Sequence, residues 1–264
     1  MKILGIESSC DETAAAVVED GKRLLSGVVV SQIDIHAHHG GVIPEIAARS
    51  HIEAINPVIN QALEEAGCTW DDIDAIAVTY APGLIGSLLV GTLAARTLAI
   101  LKNKPLYAIH HVEAHVYANF LTEQSAPGTL TLPGEQPEFP MLALIVSGGH
   151  SQLVLFRGHG DYTLLGQTQD DAVGEAYDKV AKIIGLPYPG GPSIAKAALE
   201  GNSTAYSFPK SRMSGAYDFS FSGLKTAVLR TVQAAVGKDF TFPSHQLAPL
   251  LSTQQRNDFA ASFQ

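Results

Sequence analysis

One pattern occurs twice along this chain, and it restricts the possible folds more than any other feature. Three apolar or β-branched segments separated by short polar turns predict an antiparallel meander at residues 2–8, 13–19 and 24–31. Alternating helices and strands are predicted next, with helices at 43–66, 83–102 and 111–121 and strands at 73–79 and 106–109. Because strands and helices alternate, this part of the chain is predicted to form an α/β layer.

The meander returns after a segment rich in Thr, Gln, Ser, Pro and Gly. Strands are predicted at residues 141–146, 152–157 and 162–167, and helices at 173–184, 192–200 and 222–235. Two similar α/β halves are the architecture of the actin, Hsp70 and sugar-kinase superfamily. We therefore expect an actin-like, two-lobe α/β fold with lobes at residues 1–121 and 140–264, joined by a connector at 122–139. The second lobe is expected to be incomplete, because no returning strands are recognisable in it.

Several local expectations accompany this fold. Helix 83–102 is so apolar that we expect it to be buried. Pro44 suits the first turn of helix 43–66, whereas Pro57 is expected to kink or divide it. The histidine-rich segment 36–41 is expected to be a flexible polar loop rather than a metal site. Residues 258–264 have helical character without a recognisable end, so the sequence is expected to be part of a longer protein.

Charge limits the way in which this chain could bind nucleic acid. The formal net charge is −9, with 7 basic against 15 acidic residues up to residue 130 and 10 against 11 afterwards. Phosphate contacts need Lys and Arg, so an acidic chain is a poor nucleic-acid binder on its own. RNA binding would need a partner or a local patch in the more neutral second half, where the candidates are Lys196, Lys210, Arg212, Lys225 and Arg230.

The sequence predicts a cytoplasmic protein that does not enter a membrane. The most apolar segment, residues 84–101, is interrupted by small and polar residues and by an arginine, which argues against a membrane span. The N-terminus runs directly into acidic residues and lacks the features of a signal peptide. Two cysteines in 264 residues are too few for a disulfide framework.

The segment His-Val-Glu-Ala-His at 111–115 is the sharpest local signal. Residues four apart share one face of a helix, so His111 and His115 could bind one metal ion. Taken alone, such a pair is more often two surface histidines. A zinc protease needs Glu directly after the first His, but here Glu113 comes one residue late, which disfavours that reading. No third ligand is recognisable downstream.

Two predicted turns could approach a phosphate or carboxylate. One is Ile145-Val146-Ser147-Gly148-Gly149, in which the glycines permit close approach to the backbone, although a plain hairpin turn explains it equally well.

The other turn, at the equivalent place in the first half, carries Asp11 and Glu12. These acids could hold a metal or orient a reacting group, or they could be solvated. Further along, Asp170 and Asp171 are expected in the first turn of a helix, where its dipole favours acids. Asp178 is a weak helix former in that helix and could accept ribose hydroxyls.

Seven segments together resemble one family. They are IESSCDET at 6–13, HHGGVIPEIAAR at 38–49, YAPGLIG at 80–86, HHVEAH at 110–115, VSGGH at 146–150, GEAYDKVAKIIGLPYPGGP at 174–192 and FSFSGLK at 219–225. The family is the tRNA N6-adenosine threonylcarbamoyltransferases, called TsaD in bacteria and once described as sialoglycoprotein endopeptidases. The resemblance extends over the whole chain and rests on motifs in the right order.

The resemblance implies an actin-like enzyme that transfers threonylcarbamoyl from threonylcarbamoyl-AMP to N6 of the adenosine at position 37, next to the anticodon, in tRNAs reading ANN codons. It implies one Fe²⁺ per subunit, or alternatively Zn²⁺, bound by His111 and His115, with a third protein ligand beyond residue 264. Substrate-binding residues would be Ile145 to Gly149, Asp178 and Gly191, and the catalytic acids would be Asp11 and Glu12. Family partners are an actin-like paralogue, TsaB, and a small ATPase, TsaE.

Two features qualify these expectations. Many relatives have an Asp shortly after PGGP, where this chain has Ser193-Ile194-Ala195. With only two of three metal ligands, this chain is expected to bind metal weakly and to have little activity by itself. The alternatives are a non-catalytic actin-like scaffold, a metalloprotease and an actin-like kinase.

Overall fold

A computed structural model describes residues 1–39, 41–125, 130–211 and 213–264. The chain divides into two compact units, Met1–Glu138 (unit 1) and Phe139–Gln264 (unit 2). Of the predicted connector, residues 122–138 thus belong to unit 1, and residues 126–129 lie outside the described part.

Unit 1 contains one mixed sheet with helices against it. Its elements are β1 (Lys2–Glu7), β2 (Glu12–Glu19), β3 (Arg23–Ser31), α1 (Ile33–Ala37), α2 (Pro44–Glu65), β4 (Ala75–Ala81), α3 (Ile85–Lys102), β5 (Leu106–His110), α4 (His111–Tyr117) and β6 (Glu123–Gln124). The strand order is β5-β4-β1-β2-β3-β6. The meander β1-β2-β3 is antiparallel, while β4 and β5 extend the sheet parallel to β1. The predicted meander and α/β class are confirmed.

The core of unit 1 lies between the sheet and helices α2 and α3. Alternate residues of β1 and β2, such as Leu4, Ile6 and Val17, are buried there against apolar residues of α2. Helix α2 is a single 22-residue helix in which Pro44 occupies the first turn, as predicted. The expected division at Pro57 is wrong, since the helix continues through it.

Helix α3 contradicts the expectation that it is buried. Its buried residues are the small ones, Ser87, Gly91, Ala95 and Ala99. Its largest side chains face outward, and Ile85, Leu89, Leu93, Ile100 and Leu101 are all more than half exposed. Small residues let the helix approach the sheet closely, so the long side chains remain on the other face. By length and composition α3 could cross a membrane, which for a single helix is weak evidence.

The histidine-rich segment 36–41 is not simply a polar loop. His36 belongs to the short helix α1 and is completely buried. Its Nδ1 accepts from the Ile43 N–H at 3.3 Å, and its Nε2 pairs with the Gln32 amide oxygen at 3.1 Å. His36 therefore has a structural role, which could not be recognised from the polar residues around it in the sequence. Gly40 lies outside the described residues.

Unit 2 contains a three-stranded antiparallel sheet followed by helices. Its elements are β7 (Met141–Val146), β8 (Ser151–Gly158), β9 (Asp161–Gln167), α5 (Val173–Ile184), α6 (Gly190–Ala198), α7 (Ser222–Ala235) and α8 (Thr253–Phe263). The predicted second meander is confirmed, and α6 begins two residues earlier than predicted. Directly after β9, Thr168 forms an isolated parallel bridge with Phe219. In the described part of unit 2, β8 is the only strand that pairs with β9. A helical core forms around Ile184, Ile194, Val228 and Phe259.

Candidate metal and ligand sites

Three neighbouring strands of unit 1 end at one edge of its sheet, and each brings a polar side chain there. Glu7 ends β1, Thr79 lies near the end of β4, and His111 follows β5 directly as the first residue of α4. Since β5, β4 and β1 are adjacent and parallel, their carboxyl ends meet. Ligands of open α/β sheets bind outside such carboxyl ends.

The predicted histidine pair lies at this edge. His111 and His115 occupy successive turns of α4, and their Nε2 atoms are 3.1 Å apart. Two imidazole nitrogens that share a tetrahedral ion at about 2.0–2.1 Å would be separated by about 3.3 Å. The pair thus fits a metal ion. Among the residues that the structure describes, no group of three or more His, Cys, Asp or Glu is placed to hold one.

Glu7 is an acidic group in contact with His111. Its carboxylate lies 3.2 Å from His111 Nδ1 and accepts a hydrogen bond from the Thr79 hydroxyl at 2.5 Å and another from the Ser9 N–H. Burial by itself would raise the pKa of Glu7, but hydrogen bonds from His111, Ser9 and Thr79 lower it to about 2. Glu7 is therefore ionised near neutral pH. Burial, followed by the neighbouring His111, lowers the pKa of His115, which favours the neutral form that binds metals.

The two predicted catalytic acids, Asp11 and Glu12, follow Ser9 on the same segment. Glu12 is the first residue of β2 rather than part of a turn, and it is exposed. Asp11 lies two residues beyond Ser9, whose hydroxyl is 3.2 Å from His111 Nδ1.

The backbone of this acidic segment is held by buried side chains. The Cys10 carbonyl accepts hydrogen bonds from His51 Nε2 at 3.0 Å and from the Ser87 hydroxyl at 3.1 Å. His51 is completely buried and also pairs with the Thr13 hydroxyl at 2.8 Å. The segment is therefore positioned by α2 and α3.

Two glycines of unit 1 allow α3 and the turn before it to approach this segment. A Cβ at Gly83 would lie 2.5 Å from the Ser9 carbonyl oxygen, and one at Gly91 would lie 2.3 Å from the Ser8 hydroxyl. Instead, the Gly91 N–H donates to that hydroxyl at 3.1 Å, and the hydroxyl donates to the Ser87 carbonyl at 2.8 Å. The YAPGLIG segment thus includes a packing requirement.

In unit 2 the predicted glycine turn joins β7 to β8. The Ser147 hydroxyl accepts from the N–H groups of Gly149 at 3.3 Å and His150 at 3.0 Å, which closes the turn. Nothing lies within 4 Å of a Cβ built at Gly148 or Gly149, so their backbone is open to a ligand. Ile145 is buried, whereas the Val146 side chain is exposed.

Helix α5 connects this turn to the other predicted ligand residues. The N–H of Gly174, in the first turn of α5, donates to the Ser147 carbonyl at 3.1 Å. One turn later, Asp178 Oδ1 accepts from the Gly190 N–H at 2.6 Å, so this carboxylate caps α6. Burial raises the pKa of Asp178, and Glu175 adds to the effect, while the bond from Gly190 opposes it. Gly191 has nothing within 4 Å of a Cβ position.

The chain resembles known proteins along most of its length. The family model described as TsaD, tRNA N6-adenosine threonylcarbamoyltransferase, matches residues 23–264. The tRNA N6-adenosine threonylcarbamoyltransferase of Thermomicrobium roseum is 57% identical over 88% of this chain and 62% of the relative. That of Symbiobacterium thermophilum is 53% identical over 99% of this chain and 70% of the relative. This chain belongs to the tRNA N6-adenosine threonylcarbamoyltransferase family.

The match to these relatives covers only part of their length. The chain spans 62% of the Thermomicrobium and 70% of the Symbiobacterium threonylcarbamoyltransferase. Among solved structures, component A of the (R)-2-hydroxyglutaryl-CoA dehydratase of Acidaminococcus fermentans is 13% identical, with a TM-score of 0.46, over 95% of this chain and 72% of that chain.

The acids before α5 have structural partners that the threonylcarbamoyltransferase motifs did not reveal. The expectation that Asp170 and Asp171 lie in the first turn of α5 is wrong, since that helix begins at Val173. Asp170 instead accepts from the N–H groups of Phe221 and Ser222, at the start of α7. The FSFSGLK segment is thus held to the start of α5 through this carboxylate.

Two of the proposed RNA-binding cations are engaged within unit 2. Lys225 pairs with Asp171 at 3.0 Å, and Arg230 donates to the Phe240 carbonyl at 2.6 Å. Lys196 and Lys210 are exposed. Arg212 lies outside the described residues. Of these cations, Lys225 therefore has its charge compensated within unit 2.

Glu7 and Ser9 are the site residues that the sequence analysis missed as metal-site neighbours. The Ser9 hydroxyl lies 3.2 Å from His111 Nδ1, the same nitrogen that faces Glu7. The position of Glu7 in the sequence could have revealed it, because Glu7 ends one predicted strand and His111 directly follows another that runs parallel to it.

Proposed function

We propose that the protein represented by this chain transfers threonylcarbamoyl from threonylcarbamoyl-AMP to N6 of the adenosine at position 37 of tRNAs reading ANN codons. The observation that supports this most directly is the convergence of His111 and His115 at the carboxyl edge of the unit 1 sheet, in a chain of this family. The two imidazoles would hold one Fe²⁺, or alternatively Zn²⁺, per subunit.

The metal would supply one part of the chemistry. When bound, it would polarise the carbamoyl carbonyl and stabilise developing negative charge. The residues of this chain would hold and orient the groups around it. Glu7 lies 3.2 Å from His111 Nδ1, and Asp11, on the same segment, would accept the proton that the adenosine amine loses. Glu12 would contribute negative charge at the exposed start of β2.

Unit 2 would bind the nucleotide part of threonylcarbamoyl-AMP. The open backbone at Gly148 and Gly149 can approach a phosphate without hindrance from a side chain. Gly191 offers the same freedom at the start of α6, and the Asp178 carboxylate would accept a ribose hydroxyl beside its bond to Gly190. Val146 and Ile145 would set the position of the turn at the end of β7.

Partners would supply what the acidic chain lacks. A net charge of −9 disfavours tRNA binding by the chain alone. We propose that an actin-like paralogue of the TsaB type and a small ATPase of the TsaE type act with it in the cytoplasm.

A transfer assay with matched histidine variants tests this function. Unmodified tRNA, threonine, bicarbonate, ATP and the partner proteins would be combined with the chain extended to the length of its relatives. We expect His111→Ala and His115→Ala each to lower transfer at least 100-fold. His245→Ala, which removes an exposed histidine of unit 2, is expected to retain activity.

The same assay on the 264-residue chain separates the contributions of its residues from those of the remaining sequence. We expect strongly reduced transfer, since the described residues place two histidines at the edge and no group of three or more metal ligands. Full transfer by His111→Ala in the extended protein would refute the metal role. Proteolysis that is lost in the same variant would instead favour a protease.

A further inference from the structure

Glu7 holds a position that the histidine pair alone does not explain. Three separate parts of unit 1 contact its carboxylate: the N–H of Ser9, the hydroxyl of Thr79 on β4 and the imidazole of His111 on α4. His111 lies 104 residues away from Glu7 along the chain. Such a carboxylate is fixed from several directions, and in turn it fixes each of its partners.

The contact determines which nitrogen of His111 carries the proton. Both oxygens of Glu7 already accept, from the Ser9 N–H and the Thr79 hydroxyl, so the carboxylate faces His111 Nδ1, at 3.2 Å, as an acceptor and favours a proton on that nitrogen. The neutral ring then has its lone pair on Nε2, the atom that lies 3.1 Å from His115 Nε2. The neighbouring Ser9 hydroxyl cannot enforce this choice, because a hydroxyl can donate as well as accept.

We infer that Glu7 is a positioning residue that sets the ring orientation and the Nδ1–H tautomer of His111, and thereby prepares the histidine pair to bind a metal ion. Carboxylates that receive the second N–H of a metal-binding histidine increase the basicity of the ligand, and their loss typically weakens metal binding 10- to 100-fold. The inference rests on the metal site of the proposed function, but its effect on the tautomer can be measured without metal.

The first experiment measures the tautomer in the metal-free 264-residue chain. Long-range ¹H–¹⁵N spectra of the histidine rings distinguish a protonated Nδ1 from a protonated Nε2. We expect the Nδ1–H form for His111 in the wild type and a shift towards the Nε2–H form in Glu7→Ala. Glu7→Gln keeps the shape and one carbonyl acceptor but cannot accept from both Ser9 and His111, so an intermediate shift is expected.

The second experiment measures Zn²⁺ affinity by calorimetric titration of the chain extended to the length of its relatives. Glu7→Ala should bind Zn²⁺ 10- to 100-fold more weakly than the wild type, with Glu7→Gln between them. Asp171→Ala is the matched control, because it also removes a largely buried, hydrogen-bonded carboxylate, but in unit 2. It should leave the Zn²⁺ affinity unchanged even though it lowers stability.

Two outcomes separate this inference from the proposed function. If the wild type binds Zn²⁺ and both Glu7 variants match its affinity and its His111 tautomer, the role of Glu7 is refuted while the metal site stands. If the extended wild-type protein does not bind Zn²⁺, the metal site is refuted, and the tautomer comparison still decides whether Glu7 controls His111. Glu7→Gln keeps the test valid if Glu7→Ala fails to fold.

Discussion

Adjacent glycines at the start of α6 allow a packing requirement to be separated from a ligand contact. A Cβ at Gly190 would lie 2.5 Å from the Tyr177 carbonyl oxygen and 2.6 Å from the Asp178 backbone, whereas nothing lies within 4 Å of a Cβ at Gly191. Neither glycine has a positive φ. The variants Gly190→Ala and Gly191→Ala add the same methyl group one residue apart.

The expected cost at Gly190 follows from two contacts. The atoms that the new Cβ would meet belong to the backbone of α5, so α6 must move away from α5 for the methyl group to fit. Overpacking of this kind costs about 1–3 kcal/mol. The movement also lengthens the 2.6 Å bond from the Gly190 N–H to Asp178, and a hydrogen bond to a charged group contributes about 1.5–3 kcal/mol. Because Asp178 is only partly buried, we expect a total of about 2–4 kcal/mol.

The expected result at Gly191 is different. Alanine in an open helical position removes unfolded-state freedom, so stability should be unchanged or increase by up to about 1 kcal/mol. If a ligand approaches this backbone as proposed, the added methyl group should weaken the binding of threonylcarbamoyl-AMP or AMP without any loss of stability.

Urea unfolding followed by far-UV circular dichroism measures both free energies of unfolding. Trp70, the single tryptophan, lies in unit 1, so its fluorescence reports separately on the unit that neither change touches. Equal stability of the two variants would refute the packing argument. Nucleotide binding by Gly191→Ala that equals the wild type would refute the ligand contact.

Three further predictions concern other parts of the chain. Although the Cys10 side chain is exposed, partial desolvation and the neighbouring acid Asp11 raise the pKa of its thiol to about 12 from an ordinary 9.0. At pH 8 iodoacetamide should therefore alkylate Cys10 at least about 100-fold more slowly in the folded chain than in urea, and equal rates by mass spectrometry would contradict this. Burial alone would raise the pKa of Asp171, but its two lysine partners hold that pKa below the ordinary 3.8. The ionised carboxylate therefore stabilises the fold above pH 3.8, and this stabilisation is lost as the pH falls below that value. Asp171→Asn should destabilise the chain at pH 7 but progressively less in acid, as urea midpoints would show. Gly91→Ala should cost about 1–3 kcal/mol, and Ser8→Ala should restore part of that loss in the double variant, whereas additive losses would rule out the contact.

Much of the fold could be predicted from local patterns. The two meanders, the start of a helix at Pro44 and the helix at Ser222–Ala235 all follow from periodicity and turn residues over a few neighbouring positions. The exposed apolar face of α3 could not be predicted in this way. An apolar helix with several small residues can bury either face, and the contacts of Ser87 and Gly91 with the first turn of unit 1 decide which one.

Some parts of the candidate site could likewise be predicted from local sequence, and others could not. The spacing of His111 and His115 was sufficient to predict that the two rings share a helix face, and their Nε2 atoms are 3.1 Å apart. The sequence also indicated the turn at Gly148 and Gly149, because two adjacent glycines are by themselves a turn signal. The structural partners of Asp170 and Asp178 were missed, since each caps a helix that begins elsewhere in the sequence.

The sequence by itself determined the family, the order of the elements and the identity of the two candidate metal-binding histidines, because each of these depends on residues that are near one another along the chain. Only the tertiary structure decided that Glu7 faces His111, that His51 holds the Cys10 carbonyl and that Asp178 caps α6. Those contacts join residues 12 to 104 positions apart. They exist because parallel strands end at a common edge and because glycines let helices approach it, which is a property of the packed units and not of any single segment.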